Sequence, residues 1–187
     1  MNWIHRRLCR SAAWKKSLQN DIVPWVLGDL RLGGEVLEVG PGPGLTTDLL
    51  RARTERLTVI EIDPNLAGKL ERRLAGSGVK VLQGDATAMP FDDRTFSGAL
   101  AFTMLHHVPS AALQDRLLQE VCRVLQPGGV FAGTDSVMSL AMRLIHIGDT
   151  LVTVDPGNFA TRLEAAGFSA IEIEEKRKRF RFVARRA

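Results

Sequence analysis

Short apolar runs alternate with segments of helical periodicity along most of the chain. The apolar runs predict strands at residues 35–40, 56–63, 79–85, 96–105 and 128–137. Helices are predicted between them, at residues 44–53, 65–76 and 110–125. Regular alternation of strand and helix predicts parallel crossover units, and continuously apolar strands predict a sheet that is covered on both faces.

The alternation ends after residue 137. A helix is predicted over residues 158–168, where Gly167 follows the last helical turn. Two alternating runs, SAIEIEE and KRFRFVAR, come next with little between them and predict an antiparallel hairpin. We therefore predict an α/β fold of one domain over residues 1–187: a Rossmann-like doubly wound sheet, mostly parallel, with an antiparallel C-terminal hairpin strand.

Composition places the chain among ordinary globular proteins. It has 187 residues, of which 45% are hydrophobic and 25% charged, and a formal charge of +4. No apolar run approaches the roughly 20 residues of a membrane span. Cys9 and Cys122 are far apart and fit neither a disulfide framework nor a metal knuckle, so we expect a cytoplasmic location.

The segment EVGPGPG holds the first candidate chemistry. Gly40, Gly42 and Gly44 follow the first strand, at the edge where open parallel sheets bind ligands. Their spacing is tighter than the G-x-G-x-x-G of dinucleotide sites, so a nicotinamide oxidoreductase is disfavoured. Glu38 disfavours a nearby pyrophosphate and suits a ligand with an ammonium or sulfonium group. S-adenosylmethionine carries both groups.

Two further acids lie where such a cofactor needs acceptors. Glu61 ends the second strand, about 20 residues beyond the first glycines, where an acid commonly binds ribose hydroxyls. Asp85 follows the third strand and suits an adenine amino group, although a turn or helix cap fits it equally well.

Together, EVGPGPG, EID, GDATAMPF, LHHV and VLQPGG resemble the class I S-adenosylmethionine-dependent methyltransferases. The chain is similar to the small-molecule group that includes the ubiquinone and menaquinone C-methyltransferases. The motifs extend from Val36 to about Gly129. One departure is Phe96-Ser97, where the family usually has Phe-Asp at the start of its fourth strand.

The resemblance implies a role for each matching position. Gly40, Gly42 and Gly44 wrap the methionyl part of the cofactor, with Glu38 near its amino group. Glu61 binds the ribose, and Ile62 flanks the adenine. The remaining contacts are Asp85 at the adenine amino group, Ala86 on the ring, and Thr103 at the methionyl or sulfonium end. Residues 1–34 are expected to be a helical segment on or near this site, with Trp3, Ile4, Leu8 and Trp14 near one face.

His106 and His107 are the candidate bases, needed only if the acceptor loses a proton; a cap or packing role is the alternative. Asp135 follows the fifth strand and is predicted to orient a substrate or to cap a helix. No metal site is predicted, because His5 and His146 have no ligand spacing with the histidine pair.

An apolar acceptor is predicted from the residues that follow the fourth and fifth strands, and Met104, Met138 and Met142 are the candidate substrate contacts. Residues 138–154 suit either a substrate lid or a core helix.

The basic run KRKRFRFVARR predicts a solvated edge strand, with peripheral membrane contact as an alternative. The sequence contains no clear second basic patch that would favour the binding of nucleic acid. We expect a monomer or homodimer with a small-molecule acceptor. The alternatives are a nucleic-acid methyltransferase and a cofactor-binding protein without turnover.

Overall fold

A seven-stranded sheet organises the part of the chain that the computed structural model describes, which is Arg7 and residues 11–187. The strands are β1 (Glu35–Val39), β2 (Arg56–Glu61), β3 (Lys80–Gln83), β4 (Phe96–Phe102), β5 (Leu125–Ser136), β6 (Phe168–Lys176) and β7 (Arg179–Arg186). Their order is β3-β2-β1-β4-β5-β7-β6. The first five strands are parallel, whereas β7 is antiparallel to both β5 and β6. The predicted fold class is therefore confirmed.

Five of the seven helices of the described residues begin at a side chain that caps the first turn. The helices are α1 (Ala12–Ser17), α2 (Val23–Leu27), α3 (Leu45–Leu50), α4 (Pro64–Leu74), α5 (Ala111–Val124), α6 (Leu140–Ile145) and α7 (Pro156–Ala165), and a π-helical turn (Leu18–Ile22) joins α1 to α2. Asp63 caps α4 and Asp155 caps α7, each followed by a proline at the first helical position. Among the described residues, no helix combines the length and apolar character needed to cross a bilayer.

Each strand of the central sheet sends alternate side chains to two separate cores. In β4, Ala99 and Ala101 belong to a core with Leu117 of α5 and Phe159 of α7. The intervening residue Leu100 belongs to the opposite core, which the N-terminal helices cover. This arrangement explains the uninterrupted apolar runs of the parallel strands.

Ser97 occupies the position where the resembling family usually has an acid. Its hydroxyl accepts a hydrogen bond from the Glu35 backbone N–H at 3.0 Å and donates one to the Glu35 carbonyl oxygen at 2.9 Å. One serine thus ties the start of β4 to the start of β1. The departure from the motif leaves the strand pairing intact.

The structure corrects the prediction that the basic run forms an edge strand. Strand β7 lies between β5 and β6, and β6 is the edge. Phe180 and Phe182 of β7 are fully buried. Guanidinium groups on the opposite face contact Glu174 and backbone carbonyl oxygens, which explains how an arginine-rich strand occupies an internal position.

Residues 138–147 do not form the core helix that was one of the two interpretations of this segment. The side chains of Met138, Leu140, Leu144 and Ile147 are 52–73% exposed. At the other end of the chain, Trp3, Ile4 and Leu8, predicted to share one helix face with Trp14, lie outside the described residues.

Candidate active site

Two glycines in the loop after β1 are required for different reasons. Gly42 has φ +55°, and no described heavy atom outside its own chain neighbours lies within 4 Å of the position a Cβ would take. Gly44 has φ +80°, and a Cβ there would lie 2.3 Å from Leu70 and 2.4 Å from Arg73 of α4. Gly44 therefore permits close packing, whereas Gly42 leaves space in front of the loop.

A cavity of about 260 Å³ lies at the carboxyl ends of β1, β2 and β4. Its walls come from the glycine loop, the ends of β2 and β4, the segment after α6 and the N-terminal helix. They include Trp14, Leu18, Gly40, Gly42, Thr46, Glu61, Ile62, Thr103, Met104, His107, Asp149 and Thr150. This is the position at which an open parallel sheet binds its ligand.

Glu61 joins the end of β2 to the glycine loop. Its two carboxylate oxygens accept hydrogen bonds from the backbone N–H groups of Gly42, at 2.9 Å, and Asp63, at 3.0 Å. Burial raises the pKa of this carboxyl, although both hydrogen bonds favour the charged form. Each oxygen can accept more than one hydrogen bond, so Glu61 can still receive ligand hydroxyls.

Glu38 lies behind the cavity wall and is 1% exposed. Its carboxylate accepts hydrogen bonds from the Thr46 and Thr47 hydroxyls at the start of α3, the latter at 2.6 Å. Burial raises the pKa of Glu38 to about 7, against the lowering effect of the two threonines. The sequence placed Glu38 beside a cofactor amino group; the structure places it beneath Thr46, which itself lines the cavity.

The expected adenine contacts differ in their surroundings. Ile62 lines the cavity and is 63% exposed, which presents an apolar surface to a ligand. Asp85 is exposed and accepts a hydrogen bond from the Thr87 N–H at 2.8 Å, which is the turn-capping contact. Ala86 packs partly against the core. In the structure, Asp85 and Ala86 lie beyond β3, outside the walls of the cavity.

Thr103 follows β4 directly and adopts φ +51°, a left-handed conformation that is unfavourable for a β-branched residue. Its backbone N–H donates to the Thr134 carbonyl oxygen at 2.8 Å, which continues the pairing of β4 with β5 beyond the strand end. Thr103 and the following Met104 both line the cavity. Backbone strain of this kind is found where a structure holds residues for function.

His106 and His107 lie in a 3₁₀ turn (Leu105–His107) but face different surroundings. His106 is 3% exposed, and its Nδ1 contacts Asp135. Its backbone N–H donates to the other Asp135 oxygen at 3.0 Å. His107 is half-buried and lines the cavity. Only His107 of this pair is therefore placed to touch a ligand.

The spacing of His146 along the chain gave no reason to expect a metal site with the histidine pair, yet the structure brings its ring close to both of theirs. The His146 ring lies 5.1 Å from the His106 ring and 5.2 Å from the His107 ring, measured between centroids. Its Nδ1 lies 2.8 Å from the Met142 carbonyl oxygen at the end of α6. Burial lowers the pKa of His146, which keeps its imidazole neutral.

Of the four candidate substrate residues, Met104, Asp135, Met138 and Met142, only Met104 lines the cavity. Asp135 is 0% exposed beneath His106 and therefore contacts the histidine instead of the cavity. Met138 is exposed on the surface before α6. Met142 is half-buried, and its carbonyl oxygen contacts His146.

Several cavity residues were absent from the sequence-based site. Trp14 and Leu18 come from the N-terminal helix, and Asp149 and Thr150 follow α6. The N-terminal segment was predicted to be helical and to lie on or near the cofactor site, but its apolar face could not indicate which of its residues reach the cavity.

Comparison with known proteins identifies the family and, with it, the cofactor. Residues 37–133 match the family described as "Methyltransferase domain". The chain is 38% identical over 106 residues to a fatty-acid O-methyltransferase of Mycolicibacterium smegmatis, covering 56% of this chain and 38% of the relative. It is 30% identical over 162 residues to ribosomal RNA small subunit methyltransferase A of Acidithiobacillus ferrooxidans, covering 76% of this chain and 60% of that relative. The chain thus spans between about two fifths and three fifths of the length of these relatives.

A solved structure matches the whole sheet. The PH0226 protein of Pyrococcus horikoshii OT3 superposes with a TM-score of 0.82 at 16% identity, over 99% of this chain and 96% of that one. At this identity the likeness concerns the fold. With the matched family covering the glycine loop, β2 and β4, the chain belongs to the class I S-adenosylmethionine-dependent methyltransferases.

Proposed function

We propose that this chain transfers a methyl group from S-adenosylmethionine to a small, apolar or aromatic acceptor. The observation that carries the acceptor class is the exposed apolar surface formed by Met138, Leu140, Leu144 and Ile147. It directly precedes Asp149 and Thr150, which line the cavity. An apolar surface of this kind beside a ligand site suits an apolar ligand.

The cofactor fits the described residues. Space in front of Gly42 admits the methionyl part, Glu61 accepts the ribose hydroxyls, and exposed Ile62 covers one side of the adenine. Asp85 and Ala86 follow β3 outside the cavity walls, and we propose that the adenine extends from Ile62 toward them. Gly40, Gly44 and Thr103 shape the methionyl end, and Glu38 positions the loop through Thr46.

When bound, S-adenosylmethionine supplies an electrophilic methyl group on a positively charged sulfur. The residues of this chain mainly need to align the acceptor and to exclude water, because alignment alone contributes several kcal/mol. We assign water exclusion to the described part of the N-terminal segment, residues 11–34, from which Trp14 and Leu18 reach the cavity wall.

We propose that the acceptor binds beside Met104, His107, Asp149 and Thr150, which all line the cavity. His107 is the histidine that can meet an acceptor there, whereas His106 is a positioning residue held by Asp135. Met104 provides a flexible apolar contact, which allows several related acceptors.

RNA is the rival acceptor, because one relative methylates ribosomal RNA, as its name states. The charges of β7 argue against it. Arg181 bonds to Glu174 at 2.6 Å and to the Trp25 carbonyl oxygen at 3.1 Å. Arg185 bonds to the Gly128 carbonyl oxygen at 3.1 Å. These guanidinium groups are engaged within the chain, which weakens a phosphate-binding surface.

The test follows labelled methyl from the cofactor into fractions of a cell extract. We expect label in the organic fraction, with less transfer by Leu144→Glu, which places a charge on the apolar surface. Leu113→Glu is the matched control, because Leu113 is an exposed leucine on α5, 37% exposed, outside the cavity walls. Label in RNA would replace the proposed acceptor class. Cofactor binding without labelled product in either fraction would indicate a protein without turnover.

A further inference from the structure

Three of the four histidines in the chain lie close together, and one of them, His107, lines the cavity. His106, His107 and His146 each offer a ring nitrogen, and these nitrogens lie within 4.8 Å of one another. Two of the rings are buried, whereas His107 borders the cavity. Histidine makes up only 4 of the 187 residues, so a cluster of three contains most of the histidines in the chain.

Two of these rings are held in the tautomer that a metal requires. A carboxylate and a backbone carbonyl only accept hydrogen bonds, so the Nδ1 atoms of His106 and His146 carry their protons toward Asp135 and the Met142 carbonyl oxygen. In the neutral ring, the lone pair is then on Nε2. Metal-binding histidines are oriented by this kind of second contact, with a carboxylate or a backbone carbonyl on the opposite nitrogen.

We propose that His106, His107 and His146 bind one divalent transition-metal ion, with a remaining coordination position facing the cavity. Three neutral imidazoles favour Zn²⁺, and also suit Cu²⁺ and Ni²⁺, over Mg²⁺ or Ca²⁺. Three protein ligands plus one open position is the pattern of a catalytic zinc site, whereas structural sites usually have four protein ligands.

The geometry requires only a local adjustment. Ligand nitrogens at about 2.0–2.1 Å from a tetrahedral zinc are about 3.4 Å apart. The ligand nitrogens lie within 4.8 Å of one another, so binding requires them to move closer together. His106 is fixed by its two contacts with Asp135 and defines one corner of the site.

The open coordination position faces the part of the cavity where we propose that the acceptor binds, because His107 is both a metal ligand and a residue of the cavity wall. A metal ion there binds an oxygen of the acceptor and lowers the pKa of its hydroxyl or carboxyl group. This role rests on the proposed function, whereas metal binding itself does not, so the two can fail separately.

Metal binding is measured on tag-free protein that has first been treated with a chelator. Zn²⁺ is titrated against a chromogenic competitor, and Co²⁺ is added separately to record its visible absorption. We expect one ion per chain and the absorption of a nitrogen-rich site of low coordination number.

Single substitutions locate the site. His146→Asn and His107→Gln should each weaken Zn²⁺ binding by about 100-fold or more, and Asp135→Asn by about 10- to 100-fold. His5→Asn is the matched control, since it removes the fourth histidine and should leave one ion per chain. Binding of S-adenosylhomocysteine by His146→Asn at the parent level shows that the variant is folded.

The proposal is overturned if the parent binds no Zn²⁺ at micromolar concentrations. It is also overturned if His146→Asn and His107→Gln both retain the parent affinity, or if His5→Asn alone abolishes binding. Methyl transfer to RNA with intact metal binding would contradict the proposed acceptor and leave the metal site standing.

Discussion

The Glu61 carboxylate accepts a hydrogen bond from the Gly42 backbone N–H at 2.9 Å, so the end of β2 fixes the loop that follows β1. Both residues line the same cavity. A side chain assigned to the ribose therefore also holds the loop assigned to the methionyl group. Removing this carboxylate should change both ends of the cofactor site together.

We expect Glu61→Ala to weaken binding of S-adenosylhomocysteine by about 1.5–3 kcal/mol, the range for hydrogen bonds to a charged group. Glu61→Gln should have a smaller effect, because the amide oxygen still accepts one of the two backbone bonds. Isothermal calorimetry measures both. Glu71→Ala, an exposed glutamate on α4, is the control and should bind like the parent. Parent-like affinity of Glu61→Ala would show that the ribose lies elsewhere.

Gly42→Val should abolish cofactor binding, because the new side chain enters the space in front of the loop. Gly76→Val separates this effect from backbone strain. Gly76 has φ +77° and open space around its Cβ position, but it follows α4. We expect each variant to lose about 1–3 kcal/mol of stability in urea unfolding, as a strained residue costs. Loss of binding in both variants would refute the steric explanation.

Glu38 should make the protein less stable as the pH rises. Its folded pKa of about 7 lies above the ordinary value of 4.5, so its stabilising contribution is complete below pH 4.5 and is lost as the pH rises through 7. A shift of this size corresponds to about 3 kcal/mol. Glu38→Gln keeps polar contacts to Thr46 and Thr47 without a charge.

Urea unfolding at pH 4.5 and pH 8 compares the two proteins. We expect Glu38→Gln to gain about 3 kcal/mol of stability relative to the parent between these pH values. Other titrating groups are shared and cancel in the comparison. A constant difference between the two proteins across this range would mean that Glu38 is ionised without cost in the fold.

Trp14→Ala should weaken cofactor binding by about tenfold, which corresponds to about 1.4 kcal/mol, by removing an indole from the cavity wall. Trp25→Ala is the matched control. Trp25 donates its indole N–H to Glu174 at 3.0 Å on the surface and lies outside the cavity walls. Equal affinities for Trp14→Ala and the parent would remove the N-terminal segment from the cofactor site.

The parallel part of the fold was predictable because burial on both faces leaves a direct trace in the sequence. Helix α4 was predictable for a similar reason. Its core residues Leu66, Leu70 and Leu74 are spaced by four, which places all three on one buried face. Strand β7 was misplaced because alternating arginine and phenylalanine describe its two faces only. They do not indicate whether its second backbone edge is paired, which depends on β5, a strand much earlier in the chain.

The site was predictable only where it follows strand ends. Glycines and an acid directly after β1 and β2 must meet, because parallel strands end at one edge. His146 approaches His107 through the path of the chain after β5, and no spacing rule describes that path. The inward direction of Asp135 was equally hidden, since a residue at a strand end can face the ligand or the core.

The internal position of β7 has a consequence for synthesis on the ribosome. Among the described strands, β7 is the last to emerge, yet it must enter between β5 and β6. Until it does, β5 has an unpaired edge, and such edges can pair with other nascent chains. A ribosome that stalls before Arg179 would therefore present an aggregation-prone intermediate, and trigger-type chaperones that cover exposed strands should improve the yield of folded protein.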